Sequence, residues 1–202
     1  MKTLVAAVLL AAGAVEAQTP LLDAIAEGKE PVAAILVLGG KVDIQARNAA
    51  RETPLHLAAE KGMPAVTRLL LDAGARVRAR TATGETALHH AALNEDPAIA
   101  RLLLEAGADP RALNDHGESV LHWAAYSGND AVVLLLLERG AGTDVFNLDG
   151  NLPLHGAAAG GHASTVRLLL PRTRQPALKN IKGKTPRDLA LERGHDRVAV
   201  LF

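Results

Sequence analysis

A ten-residue pattern recurs in this chain at a constant spacing of 33 residues. Its five copies read TPLHLAAEKG from Thr53, TALHHAALNE from Thr86, SVLHWAAYSG from Ser119, LPLHGAAAGG from Leu152 and TPRDLALERG from Thr185. A fixed period of this length is typical of arrays in which one small unit stacks on the next. The period therefore constrains the fold more strongly than any single segment does.

The chemistry of each copy predicts a short helix. Thr53 can cap a helix N-terminus, Pro54 suits the first helical position, and Gly62 can take the left-handed conformation that ends a helix. A helix of fewer than ten residues is not stable alone in water, so it must pack on its neighbours. A second apolar run follows each of the first four copies, as in VTRLLLDAGA from Val66. Each unit is predicted to be helix, turn, helix and loop.

The patterns TPLHxAAxxG and LLLxxGA, with the loop between units, resemble the ankyrin-repeat family over nearly the whole predicted exported chain. The resemblance implies an all-α solenoid of helix-turn-helix units linked by hairpin loops. We place the units of a single domain, 18–202, at about 19–52, 53–85, 86–118, 119–151, 152–184 and 185–202. The first unit matches weakly and the last has Asp188 in place of histidine, as expected of units that cap an array.

The first 17 residues predict a secretory signal peptide. Lys2 precedes an apolar stretch from Leu4 to Val15, and the small residues Val15 and Ala17 suit a cleavage site. A retained N-terminal anchor is the alternative. The mature chain is expected to begin at Gln18 and to lie in the periplasm, because the segment is similar to bacterial export signals. No later segment is long and apolar enough for a membrane span.

Composition supports a thin, closely stacked core. Apolar residues make up 49% of the chain but aromatic residues only 2%, so the core must consist of Leu, Ala and Val. Lys and Arg number 22 and Asp and Glu also 22, and without Lys2 and Glu16 the balance stays even. A neutral chain poor in aromatics is not expected to bind nucleic acid. The absence of cysteine excludes disulfides and lipid attachment through cysteine. We expect a monomer.

The histidine that recurs in the pattern has two interpretations. A metal ladder is disfavoured, because stacked helices lie roughly 8 to 10 Å apart and zinc holds each ligand within about 2.1 Å. The alternative, which the resemblance also implies, is that each imidazole bonds the capping residue and the next loop. These residues are His56, His89, His122 and His155. His116, beside Asp115 and Glu118, is the exposed candidate for adventitious metal contact. No cofactor or metal ligand is predicted.

An enzyme is not expected, because the chain has no cysteine and its three serines lack a nucleophile motif. The ankyrin resemblance instead implies a protein-binding surface built from hairpin tips and the ends of first helices, which line a groove. The main hypothesis is a non-catalytic periplasmic module that binds a protein partner. The alternative is an inhibitor or immunity-type protein of an exported enzyme or toxin, or a protein linked to protection against oxidative stress.

The binding surface is predicted to centre on aromatic residues. Tyr126 lies at a first-helix end, and Phe146 and Leu148 lie on a hairpin tip. The full predicted set is Tyr126, Phe146, Leu148, Leu113, Asp115, His116, Glu118, Leu93, Asn94 and Asp149. Trp123 is predicted to be a core residue that fills the space left by Gly156. In the alternative interpretation, Phe146 and Leu148 fold back against Trp123 as local core.

Two departures from the pattern predict weak points. Glu95 replaces the helix-ending glycine, where a left-handed conformation costs about 1 to 2 kcal/mol. Thr173 replaces a second glycine, and Pro171 and Pro176 flank it, so residues 171–184 are predicted to form an irregular loop. The last two units are predicted to open before the middle ones. A basic cluster free of acids also lies here: Arg167, Arg172, Arg174, Lys179, Lys182, Lys184 and Arg187.

Overall fold

The computed structural model describes residues 19–202, so the predicted signal peptide lies outside the described residues. Within that range the chain forms twelve α-helices, arranged as six pairs, and no strand. The first helices of the pairs are α1 Pro20–Ala26, α3 Pro54–Glu60, α5 Ala87–Ala91, α7 Val120–Ser127, α9 Pro153–Ala159 and α11 Pro186–Glu192. The second helices are α2 Glu30–Leu38, α4 Pro64–Asp72, α6 Ala98–Glu105, α8 Asp130–Glu138, α10 Ala163–Leu169 and α12 Asp196–Ala199.

The pairs stack in order along the chain. Each first helix contacts the first helix of the next pair, from α1 against α3 to α9 against α11. The second helices form a second layer, in which α2 contacts α4, α4 contacts α6, α8 contacts α10 and α10 contacts α12. The structure is therefore the all-α repeat solenoid that the period predicts.

One continuous hydrophobic core runs through both layers. Its largest fully buried side chains repeat at the same place in successive helices, as the pattern requires. In the first helices they are Leu21, Leu55, Leu88, Leu121 and Leu154. In the last unit the equivalent position carries Arg187, which is exposed. A polar residue at this position lets the last pair end the stack, because no further helix covers it.

The prediction for Glu95 is wrong. Among residues 19–202, Arg51 alone takes a positive φ without being glycine. The second copy of the pattern avoids the left-handed conformation by ending α5 at Ala91, earlier than the equivalent helices end. Residues 92–97 then form an irregular turn. The chain gives up part of a helix because, for a residue with a Cβ, the left-handed conformation costs more.

The irregular loop predicted for residues 171–184 is only partly right. A 3₁₀ turn, Leu170–Arg172, continues α10, and Thr173 is buried, with its hydroxyl donating to the Leu169 carbonyl at 2.9 Å. Asn180 N–H donates to the Lys184 carbonyl at 2.9 Å. The preceding tip is closed by the equivalent bond, from Asn147 N–H to the Asn151 carbonyl. The segment therefore ends in a hairpin tip like the others.

Candidate binding groove

The recurring histidines join each unit to the next. In the first full copy, Thr53 N–H donates to His56 Nδ1 at 3.2 Å. On the other side of the ring, His56 Nε2 lies 3.1 Å from the Ala79 carbonyl and 3.3 Å from the Glu85 carbonyl. Carbonyl oxygens only accept hydrogen bonds, so Nε2 carries the proton. The imidazole therefore caps its own helix and ties it to the next hairpin.

The three other recurring histidines are bonded in the same way. His89 Nε2 lies 3.3 Å from the Glu118 carbonyl, His122 Nε2 lies 2.9 Å from that of Asn151, and His155 Nε2 lies 3.1 Å from that of Leu178. The structural role predicted for the four residues is confirmed. Burial lowers the pKa of His56 and of His89 to about 4 and lowers the pKa of His122 and His155. All four are therefore neutral at pH 7.

The hairpin tips are joined by backbone hydrogen bonds. In each case a backbone N–H of one tip donates to a backbone carbonyl of the preceding tip. The bonds run from Ala82 to Ala50 at 2.8 Å, and from Asp115 to Thr83, Leu148 to His116 and Ile181 to Asp149 at 3.0 Å each. The ladder holds the tips beside the first helices. We call the surface between the tips and the first helices the groove.

One position in the first helices α3, α5, α7, α9 and α11 lies beside the groove and varies widely. It directly follows the recurring histidine, or Asp188 in the last unit, and in successive units it carries Leu57, His90, Trp123, Gly156 and Leu189. A cavity of about 530 Å³ opens above Gly156, which has no side chain to occupy part of it. A Cβ at this glycine would lie 3.5 Å from the Tyr126 Cβ, an ordinary contact. A larger residue at this position could therefore extend into the cavity.

Apolar walls and charged groups surround this cavity. Trp123, Tyr126 and Leu93 lie on one side, Leu189 and Arg193 lie on the other, and Glu118, Asp149, Asn151 and Lys182 come from the tips. The Glu118 carboxylate accepts a hydrogen bond from Trp123 Nε1 at 2.9 Å and another from Asn114 Nδ2 at 3.0 Å. Its orientation is therefore fixed, whereas Lys182 is exposed.

The structure brings four of the predicted binding residues together at the cavity: Leu93, Tyr126, Glu118 and Asp149. Tyr126 is 58% exposed, which leaves its ring available to a partner. Phe146 and Leu148 do not line this cavity, but they are 65% and 72% exposed on their tip. The alternative in which they fold back against Trp123 as core is therefore wrong.

The remaining predicted residues lie elsewhere or serve the fold. Leu113 lines a second, smaller cavity together with Arg78 and Arg111. Asp115 pairs with Arg80 at 2.9 Å, and the His116 carbonyl belongs to the ladder of tips. Asn94 is half-buried and donates to the Ala59 carbonyl at 2.5 Å. The prediction placed Asn94 on the binding surface, whereas its amide bonds the end of the preceding first helix.

The prediction for Trp123 is also partly wrong. Its ring packs against the core but leans toward the preceding unit, with its centroid 5.5 Å from His89 and 5.9 Å from His90. It therefore does not fill the space above Gly156. Sequence reasoning noted this glycine but missed the cavity, and it missed Leu189 and Arg193 as walls. A glycine at a position that carries larger residues in four other copies was the available signal.

The fold and the groove define an all-α solenoid built from tandem helix pairs. A family model described as "Ankyrin repeats (3 copies)" matches residues 2–81, 21–114, 55–147 and 121–202. These matches together cover more than half of the chain, so the chain belongs to the ankyrin-repeat family. Ankyrin repeats are generally protein–protein interaction modules and are typically non-catalytic. No curated protein matches the chain.

Among residues 19–202, every helix is too short or too polar to cross a membrane.

Proposed function

We propose that this protein is a non-catalytic module that binds a protein partner by accepting one of the partner's side chains above Gly156. The observation that carries the proposal is the open cavity of about 530 Å³ beside the exposed Tyr126 ring. Binding energy at interfaces concentrates where a buried side chain fills a pocket next to aromatic residues. The mixed charges of Asp149, Lys182 and Arg193 at the cavity suit polar groups that flank such a side chain.

A substitution at Gly156 tests this proposal without disturbing the fold. Leucine occupies the equivalent position at Leu57 and Leu189, and the backbone of Gly156 is helical. Gly156→Leu should place a leucine side chain in the cavity beside Tyr126 and abolish capture of the partner, while the removal of a helical glycine should stabilise the protein by about 0.5 to 1 kcal/mol. Leu38→Ala is the matched control, because Leu38 is a 71% exposed apolar residue of α2.

The measurement is affinity capture from extracts of the producing cell with wild type and both variants, followed by quantitative mass spectrometry. A partner captured by wild type and by Leu38→Ala, and lost with Gly156→Leu, supports the proposal. Equal capture by Gly156→Leu would contradict it. A single stoichiometric hydrolase or toxin among the lost proteins would favour the inhibitor or immunity-type role. Several unrelated proteins would favour a scaffold, and redox enzymes would favour a role in oxidative stress.

We also propose that the protein acts in the periplasm after removal of residues 1–17. The support is the charged Lys2, the apolar stretch that follows it and the small residues Val15 and Ala17. N-terminal sequencing of the protein from periplasmic and cytoplasmic fractions tests the proposal. A mature N-terminus at Gln18 in the periplasmic fraction is expected. Intact Met1 on soluble cytoplasmic protein would contradict it.

A further inference from the structure

His90 is a polar residue at a position that is apolar in the four other copies of the ten-residue pattern, although the first, weakly matching unit carries Asp23 there. The equivalent residues are Leu57, Trp123, Gly156 and Leu189, so folding at this position does not require an imidazole. The His90 side chain is only 11% exposed. Neither ring nitrogen has a hydrogen-bond partner among residues 19–202, and Nε2 is fully buried. A buried polar group left unpaired costs about 1 to 3 kcal/mol, and the other ring nitrogen, Nδ1, is directed toward Glu60 without a hydrogen bond to it.

Two carboxylates lie beside this ring. Glu52 ends the hairpin tip before α3, and Glu60 is the last residue of α3. One oxygen of each carboxylate and one nitrogen of His90 all lie within 4.8 Å of one another. Glu60 Oε2 is 4.0 Å from His90 Nδ1, which is too long for a hydrogen bond. Three groups that can share an ion thus converge without bonding one another.

Both carboxylates can serve as ligands. Glu52 Oε2 accepts a hydrogen bond from Asn48 Nδ2 at 2.6 Å, and such an outer bond orients a metal-binding carboxylate. Glu60 is 41% exposed and its Oε1 faces Lys61 Nζ at 3.5 Å. Exposed ion pairs of this kind contribute little to stability. Glu60 can therefore turn toward His90 at small cost.

We propose that Glu52, Glu60 and His90 bind a divalent transition-metal ion, with zinc as the best fit, and leave one coordination position open to the groove. Around a tetrahedral zinc ion, bonds of about 2.0 to 2.2 Å place ligand atoms roughly 3.3 Å apart. The present ligand-atom distances, all within 4.8 Å, would have to shorten to that value by side-chain rotation when the ion binds. One imidazole with two carboxylates suits zinc or a similar ion, whereas calcium and magnesium prefer oxygen ligands alone.

The test is titration of the purified protein, freed of metal by a chelator, with Zn²⁺ by calorimetry and with Co²⁺ by visible absorption. Wild type should bind one equivalent of each ion, and saturating Zn²⁺ should raise its thermal midpoint, because an ion that binds the folded state stabilises it. Mg²⁺ should not compete. Absence of Zn²⁺ binding at micromolar concentrations would overturn the proposal.

Three variants locate the ion. His90→Leu places leucine where Leu57 stands in the preceding unit, so it should fold normally and lose at least tenfold in Zn²⁺ affinity. Glu60→Gln changes an exposed residue and should also lose at least tenfold. His116→Asn removes the exposed tip histidine and should bind as wild type does. Unchanged affinity in His90→Leu and Glu60→Gln, or an equal loss in His116→Asn, would show adventitious binding and overturn the proposal.

Discussion

The two halves of the groove share one backbone design but differ in chemistry. Around α3 and α5, Glu52, Glu60 and His90 face one another. Around α9 and α11, the equivalent positions carry Asn151, Ala159 and Leu189, and Lys182 and Arg193 supply positive charge. The recurring histidine and the buried leucine are the same in α3, α5 and α9, whereas α11 carries Asp188 and Arg187 at these positions. The contrast shows that the residues that stabilise each unit and the residues that line the groove occupy different positions, so the groove residues can vary without loss of the fold.

The largest expected effect is a difference in stability between substitutions of the neighbouring residues His89 and His90. His89 is fully buried, with Nδ1 accepting from Thr86 N–H at 3.1 Å and Nε2 facing the Glu118 carbonyl. His89→Leu leaves both backbone groups unpaired and should lower the free energy of unfolding by about 2 to 4 kcal/mol. Chemical denaturation in the presence of a chelator measures this loss.

His90→Leu is the matched control for that measurement, because it makes the same change one residue along the same helix. It breaks no hydrogen bond and should leave the free energy of unfolding equal or higher. Equal losses in the two variants would remove the distinction between folding residues and groove residues.

The next effect is the dependence of stability on pH, which should differ between units that contain the recurring histidine and the last unit, which does not. Burial lowers the folded-state pKa of His122 and His155 below 6.5. The unfolded state therefore binds more protons, and stability present above pH 6.5 is lost as pH falls toward the folded pKa. In the last unit, hydrogen bonds from Thr185 lower the pKa of Asp188 below 3.8, so its contribution is lost only in stronger acid.

Hydrogen exchange at pH 7 and at about pH 5, in the presence of a chelator, tests this difference. Protection in α7 and α9 should fall between the two conditions more than protection in α11 does, each scaled to its value at pH 7. A uniform fall would mean that the units open together. The same experiment at pH 7 tests whether the last two units open before the middle ones.

A smaller effect should separate two aromatic residues in partner binding. Tyr126 lines the cavity and Phe146 does not. Tyr126→Ala should weaken binding of a captured partner at least tenfold, which is about 1.4 kcal/mol, and Phe146→Ala less. Both residues are exposed, so the thermal midpoint of each variant should stay within a few degrees of wild type. Surface plasmon resonance gives the affinities, and a larger loss for Phe146→Ala would move the binding centre to the tip.

The smallest expected effect is on association rate. The basic cluster is partly neutralised by acids outside it, since Arg174 pairs with Asp144 at 3.6 Å and Lys184 pairs with Glu192. Lys182 at the cavity keeps its charge exposed. Lys182→Glu should slow association with an acidic partner a few-fold at low salt and little at high salt. Lys179→Glu makes the same charge change outside the cavity. Equal slowing by both variants would indicate that the overall positive charge of this end of the protein, and not Lys182 at the cavity, sets the association rate.

Local features of the fold could be predicted because they depend on residues close together in sequence. Thr53, Pro54 and Gly62 mark the ends of one helix, and the recurrence of His56 at a fixed period predicts its role in joining units. The backbone conformation of Glu95 could not be predicted correctly, because two outcomes were possible: a left-handed residue at the helix end, or a helix that ends earlier. Sequence alone did not show that the shorter helix costs less than the left-handed conformation.

By itself, the sequence determined the repeat, the helix pairs, the buried leucines and the bonded histidines, because a constant period forces each unit to pack as its neighbours do. Only the tertiary structure decided what the groove contains. Glu52 and His90 are 38 residues apart yet face each other, Trp123 leans toward His90, and the space above Gly156 stays open. These outcomes depend on the rotation and spacing of stacked helices, which set where side chains of different units meet.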